Sequence, residues 1–187
     1  MPENRPYLIG AFSGPAIWSK NEASSYKPSE TFVIEHKYSK KRTLIITPGV
    51  IDQEYRSTYA QYSGDQSIFF SCIQGEGLVL LQKFETGEKG EMLADKVSDF
   101  YAMRIKQGDG MRIKPNFFFI FYNLGEFFLT IEDDVPQKFD KSSLLKFPEN
   151  DKYRLIQEMG FICDVSMGQN KEFEFSKNPQ YGNEQFI

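Results

Sequence analysis

Apolar and polar residues alternate with a period of two along the middle of this chain, and glycine-bearing turns cut the alternation at short intervals. Thr31-Phe32-Val33-Ile34-Glu35-His36 and Thr43-Leu44-Ile45-Ile46-Thr47 are β-branched runs on either side of a charged tip, which predicts a hairpin. Pro48-Gly49 supplies the next turn. Further strand signals cover Gln53 to Tyr62, Ser67 to Ile73, Gly77 to Phe84, Asp99 to Lys106, Met111 to Ile113, Phe117 to Asn123 and Glu126 to Glu132. Phe161 to Met167 and Lys171 to Ser176 form a last pair around Gly168-Gln169-Asn170. Many short strands between glycine turns predict an all-β barrel or sandwich.

Successive side chains of a barrel strand point to opposite sides, so Tyr59, Gln61 and Ser63 are expected on one face. Ile68, Phe70 and Cys72 share another, as do Phe119 and Phe121. One helix is predicted, Glu149 to Met159, where Tyr153, Ile156 and Met159 recur at helical spacing and Gly160 can cap the end. Pro2, Pro6, Pro15 and Pro28 interrupt the first thirty residues. The expected organisation is an irregular N-terminal segment at 1–30 with a short strand near Tyr7 to Phe12, a barrel domain at 31–182 and a tail at 183–187.

A chain of 187 residues with 40% hydrophobic content and 18 Phe suits one domain with an aromatic-rich interior. Its net charge of −4 argues against a phosphate-backbone partner, since nucleic-acid binders cluster Lys and Arg. The basic run Lys37-Tyr38-Ser39-Lys40-Lys41-Arg42 reads as a solvated hairpin tip, and Glu132-Asp133-Asp134 as a solvated loop. The N-terminus lacks the basic and apolar regions of a secretion signal, and no apolar run is long enough for a membrane span. A soluble cytoplasmic protein with no membrane association is the expectation. Cys72 and Cys163 belong to no CxxC pair and are read as reduced, packed thiols.

Two glycine-anchored stretches carry the most specific signal. In Tyr59 to Gly75, positions 61, 63 and 68 stand where the first motif of a cupin barrel has His, His and Glu; in Gly108 to Asn123, position 119 stands at the histidine of the second motif. Thr47-Pro48-Gly49, Gly75-Glu76-Gly77-Leu78-Val79-Leu80-Leu81-Gln82 and the tail Tyr153 to Phe161 followed by Asn178-Pro179-Gln180-Tyr181 add to the match. Over roughly residues 30 to 182 the chain resembles the cupin-type glucose-6-phosphate isomerases best known from archaea. The resemblance implies a single-domain cupin jelly roll with one short C-terminal helix, a homodimer, and a sugar-phosphate bowl whose metal is held by three histidines and a glutamate.

Here those four positions hold Gln61, Ser63, Ile68 and Phe119, and the single histidine, His36, lies outside both motifs. Divalent metals are held by imidazole, carboxylate or thiolate, so an amide, a hydroxyl and two hydrocarbon side chains predict a degenerate site with no metal and no cofactor. The resemblance carries ligand-binding positions to Thr58, Gln61, Ser63, Phe70, Phe119 and Tyr153. Filling the bowl with Ile and Phe would make it drier and smaller, suited to an apolar ligand or none. No catalytic residue can be named: Tyr59, Tyr101 and Arg104, with Glu54 or His36 as bases, show no nucleophile–base spacing.

The leading expectation is a glucose-6-phosphate isomerase-like cupin serving as a small-ligand or interaction module, with a sugar phosphate as one ligand. The alternatives are a metal-independent sugar-phosphate isomerase or redirected isomerase or lyase, and a structural dimer subunit.

Overall fold

The computed structural model describes residues 7–12, 31–35, 41–51, 53–58, 60–134 and 160–181. The strands in chain order are β1 (Tyr7–Phe12), β2 (Thr31–Glu35), β3 (Arg42–Ile46), β4 (Val50–Ile51) and β5 (Glu54–Tyr55). There follow β6 (Gln61–Tyr62), β7 (Ile68–Gln74), β8 (Glu76–Thr86), β9 (Met92–Lys106) and β10 (Gly110–Ile113). The last are β11 (Phe118–Asn123), β12 (Leu129–Asp133), β13 (Cys163–Met167) and β14 (Phe173–Lys177).

They form three antiparallel sheets, ordered β1-β2-β3-β12-β7-β10, β6-β11-β8-β9 and β14-β13-β5-β4. When β3 and β6 to β12 are counted as the eight successive strands of a roll, the first two sheets run 1-8-3-6 and 2-7-4-5. That interleaving is the double Greek key of a jelly roll, so the all-β cupin fold expected from the sequence is the fold observed. The third sheet lies against the outer side of the second.

Alternation explains where each strand sends its side chains. Arg42, Leu44 and Ile46 of β3, Ile68, Phe70 and Cys72 of β7, and Leu129, Ile131 and Asp133 of β12 turn inward, while their neighbours are half-buried or exposed. The run Phe118–Asn123 does not alternate, because every residue of β11 is buried. One of its faces meets the bowl and the other meets the third sheet, so a continuous apolar run is what the position requires. Gly75 has φ +86°, and a Cβ there would lie 2.5 Å from the Phe128 carbonyl oxygen, so the β7–β8 turn admits no side chain.

Several boundaries differ from those expected. The stretch Gln53 to Tyr62 is not one strand: Gln53 has φ +73°, β5 pairs with β4 and β13, and β6 pairs with β11, so the chain changes sheets midway. β9 starts at Met92 rather than Asp99, as a polar edge continuing the pairing with β8 through two register shifts. β12 starts at Leu129 rather than Glu126, which leaves Phe127 and Phe128 exposed. The strand near Tyr7 to Phe12 is present. The expected helix Glu149 to Met159, with Tyr153, lies outside the described residues, as do His36 and Tyr59.

Candidate functional site

The bowl between the two sheets of the roll is a hydrocarbon core. Ile68 and Phe70 from β7, Phe119 and Phe121 from β11, Val79 and Leu81 from β8, Leu44 and Ile46 from β3, and Leu129 and Ile131 from β12 pack into one cluster. Phe70 meets Phe121 edge-on with ring centroids 4.9 Å apart, and Phe121 meets Phe119 at 5.8 Å. Ile68, Phe70 and Phe119 retain at most 1% exposure, so these three positions are packing residues on all sides.

The two polar positions of the same set are committed to protein groups. The Ser63 hydroxyl donates to the Lys114 carbonyl at 3.0 Å and accepts the Phe117 N–H at 3.0 Å, which ties the chain before β7 to the turn before β11. Gln61 stands opposite Phe119 in the β6–β11 register, and its side-chain oxygen accepts a hydrogen bond from Arg42 Nη2. Thr58 is buried, and its Oγ1 accepts the Phe121 N–H at 3.1 Å while its own N–H donates to the Phe121 carbonyl at 2.9 Å. The hydroxyls at 58 and 63 therefore complete the ladder along β11 where β6 is too short to do so.

Arg42 is the group that sequence reasoning missed. Its guanidinium lies on the inward face of β3 and grips Asp133 of β12 bidentately, Nε to Oδ1 at 2.7 Å and Nη2 to Oδ2 at 2.8 Å. Both residues are more than nine-tenths buried, at 4% and 2% exposure. The readings of Arg42 as part of a solvated tip and of Asp133 as part of a solvated loop are thus corrected. The signal was phase: Arg42 is in step with Leu44 and Ile46, and Asp133 with Ile131 and Leu129, so two opposite charges occupy inward positions on paired strands. Only mutual neutralisation with fork geometry makes such a burial tolerable.

The remaining candidate catalytic groups are not brought together. Tyr101 is half-exposed at the rim, its ring 6.0 Å from that of Phe117. Arg104 is on the opposite face of β9, its guanidinium 4.8 Å above the Phe173 ring, and Glu54 belongs to the third sheet. No three His, Cys, Asp or Glu side chains cluster to hold a metal among the described residues.

A second core lies between the outer face of the β6-β11-β8-β9 sheet and the C-terminal strands, with Tyr62, Leu78, Phe84, Phe118, Phe161 and Val165 among its members. Here polar pins hold the layers. Gln82 of β8 is fully buried; its Nε2 donates to the Gly160 carbonyl at 3.2 Å and to the Tyr181 hydroxyl oxygen at 3.1 Å, and its Oε1 accepts the Ile162 N–H at 2.7 Å. The Tyr181 hydroxyl donates in turn to Gly160 O at 2.9 Å. Burial pushes the Tyr181 hydroxyl up to about 12, against a smaller lowering by its bond from Gln82. Burial likewise raises the thiols, Cys72 to about 11 with help from Asp109, and Cys163 to about 12 with help from Asp164. The Asp164 carboxyl is raised by burial and then by Glu54. The Tyr122 hydroxyl is buried with no hydrogen-bond partner among the described residues and titrates well above its ordinary value, chiefly through burial.

No protein-family model matches the chain, and no curated protein sequence does. Among solved structures it is similar to the Drosophila melanogaster CENP-C cupin domain, at 10% identity over 56% of this chain and 63% of that one, with TM-score 0.42. It is also similar to the capsular polysaccharide assembling protein CapF from Staphylococcus aureus, at 12% identity over 60% of this chain and 27% of that one, with TM-score 0.40. The chain thus spans less than two thirds of the length of either. Both are likenesses of shape; the strand order of this molecule is what makes it a jelly roll.

Proposed function

We propose that this chain is a cupin of the glucose-6-phosphate isomerase type that has given up metal chemistry and works as an interaction module, a homodimer in the cytoplasm. The observation that carries the reading is the interior: Ile68, Phe70 and Phe119 fill the bowl, and Gln61 is spent on Arg42. Of the two forms of the reading, small-ligand binder and interaction module, the second has the support, because the Thr58 and Ser63 hydroxyls are already engaged with backbone groups that a ligand would have to displace. Two free buried thiols support a reducing compartment.

Elemental analysis of the purified chain, with calorimetric titration of glucose 6-phosphate and fructose 6-phosphate, tests it. The expected outcome is no stoichiometric divalent metal, no binding heat and no aldose–ketose turnover. About one zinc, iron, nickel or manganese per chain, or turnover abolished by a chelator, would overturn it. Turnover that survives the chelator would instead make the chain a metal-independent isomerase.

A further inference from the structure

The outer sides of the two sheets of the roll are treated differently: one is covered by the third sheet, the other, around β7, is open among the described residues. On that open side the outward residues of β7 form a ridge, Phe69 at 41% and Ile73 at 48% exposure with half-buried Ser71 between them. Large apolar side chains in line on the outer face of a sheet, here on the strand next to the β10 edge, mark an interface.

The charges beside the ridge identify what covers it. β10 and β12 flank β7 on opposite sides. On the β10 side Arg112 is directly opposite Phe69, exposed, and forms no ion pair among the described residues. On the β12 side Asp134 is level with the same residue: its Oδ1 accepts the Phe69 N–H at 2.6 Å and its N–H donates to the Phe69 carbonyl at 3.2 Å. One row across the face therefore reads cation, aromatic ring, anion. Rotating a second copy about a twofold axis that runs along β7 in the interface plane exchanges the two flanks and keeps the level along the strand. Arg112 then stands over the partner's Asp134, and Asp134 over the partner's Arg112.

We propose that the ridge Phe69–Ile73 is the centre of an isologous homodimer interface, closed by two reciprocal Arg112–Asp134 pairs. The surface is self-complementary, as a twofold contact requires, and two sheets packing face to face accommodate it. This deepens the reading of the chain as an interaction module by naming its partner and face. It rests on the homodimer of that reading, and its failure is distinguishable from failure of the metal-free bowl, because metal content and turnover report on the bowl and not on this surface, while a dimer indifferent to the ridge substitutions sinks this face alone.

Sedimentation velocity on the full chain tests it. The wild type is expected to be dimeric, and Phe69→Ser with Ile73→Ser to weaken self-association by roughly 30-fold or more, the loss typical of a central anchor. Arg112→Asp and Asp134→Arg are each expected to leave monomers, since like charges then face each other at both pairs. Mixing the two variants restores both opposite-charge pairs and should yield a one-to-one heterodimer. A monomeric wild type, a dimer indifferent to the ridge substitutions or to Arg112→Asp, or a mixture of two folded variants that stays monomeric, overturns the proposal. Should Asp134→Arg not fold, having lost its bond to Phe69 N–H, the ridge variant and Arg112→Asp decide the matter alone, as both alter exposed positions.

Discussion

The bowl and the seam behind it are two cores on opposite faces of the same sheet, and they are built by different rules. The bowl is hydrocarbon closed at one end by a single charged clamp, Arg42 on Asp133 and Gln61; the seam is hydrocarbon pinned by a neutral amide, Gln82, that holds a returning piece of chain. In the bowl the strands of the roll already enclose the space, so side chains need only fill it. In the seam the segment from Gly160 to Tyr181 has to be fixed in place, and oriented hydrogen bonds do that where apolar contact alone would let it slide.

The contrast can be broken most forcefully in the bowl. Phe119→Ala should cost about 3–5 kcal/mol in denaturant unfolding, because the ring is enclosed by strands that cannot collapse onto the void. A cost well under about 1 kcal/mol would mean that the bowl is a pliable ligand cavity rather than a core. Arg42→Met alone should cost about 3–5 kcal/mol by stranding a buried Asp133, whereas Arg42→Met with Asp133→Leu should be near neutral. That non-additivity, read as a double-mutant cycle, separates a clamp from two independent packing residues.

Gln82→Leu sharpens the other half of the comparison. It is nearly isosteric but strands the Ile162 N–H, for an expected loss of about 1–3 kcal/mol, with proteolysis first appearing near residues 160–181. Alkali gives a gentler probe. Cys72 rises from 9.0 to about 11, Cys163 from 9.0 to about 12 and Tyr181 from 10.0 to about 12. An acid whose folded-state pKa is raised keeps its proton when the unfolded chain has lost it, so stability should fall as pH climbs from about 9 toward about 12. Melting temperatures that hold constant across that window would contradict the burial of these groups. For the same reason thiol reagents at pH 8 should label Cys72 and Cys163 only upon unfolding.

Most of the roll was legible because its strands obey simple alternation, and that rule put Ile68 with Phe70, and Phe119 with Phe121, on shared faces that the structure turns into the bowl. What could not be read was where the chain leaves one sheet for another. Glu54 and Gln61 lie in one β-like stretch, yet pair with β13 and β11 respectively, and local propensity carries no information about partners. The clamp was hidden for a related reason. Arg42 ends one charged run and Asp133 sits in the middle of another, both of which look solvated, and only the pairing of β3 with β12 makes the two charges meet.

The strand β11 has no side turned to water, since each of its six residues is buried. Neither core can therefore be opened without stripping the other, which welds the roll and its C-terminal cover into a single unfolding unit. Amide protons along Phe118–Asn123 should accordingly exchange with solvent only through complete denaturation, at a rate set by the global free energy, while the rims trade theirs through local fraying.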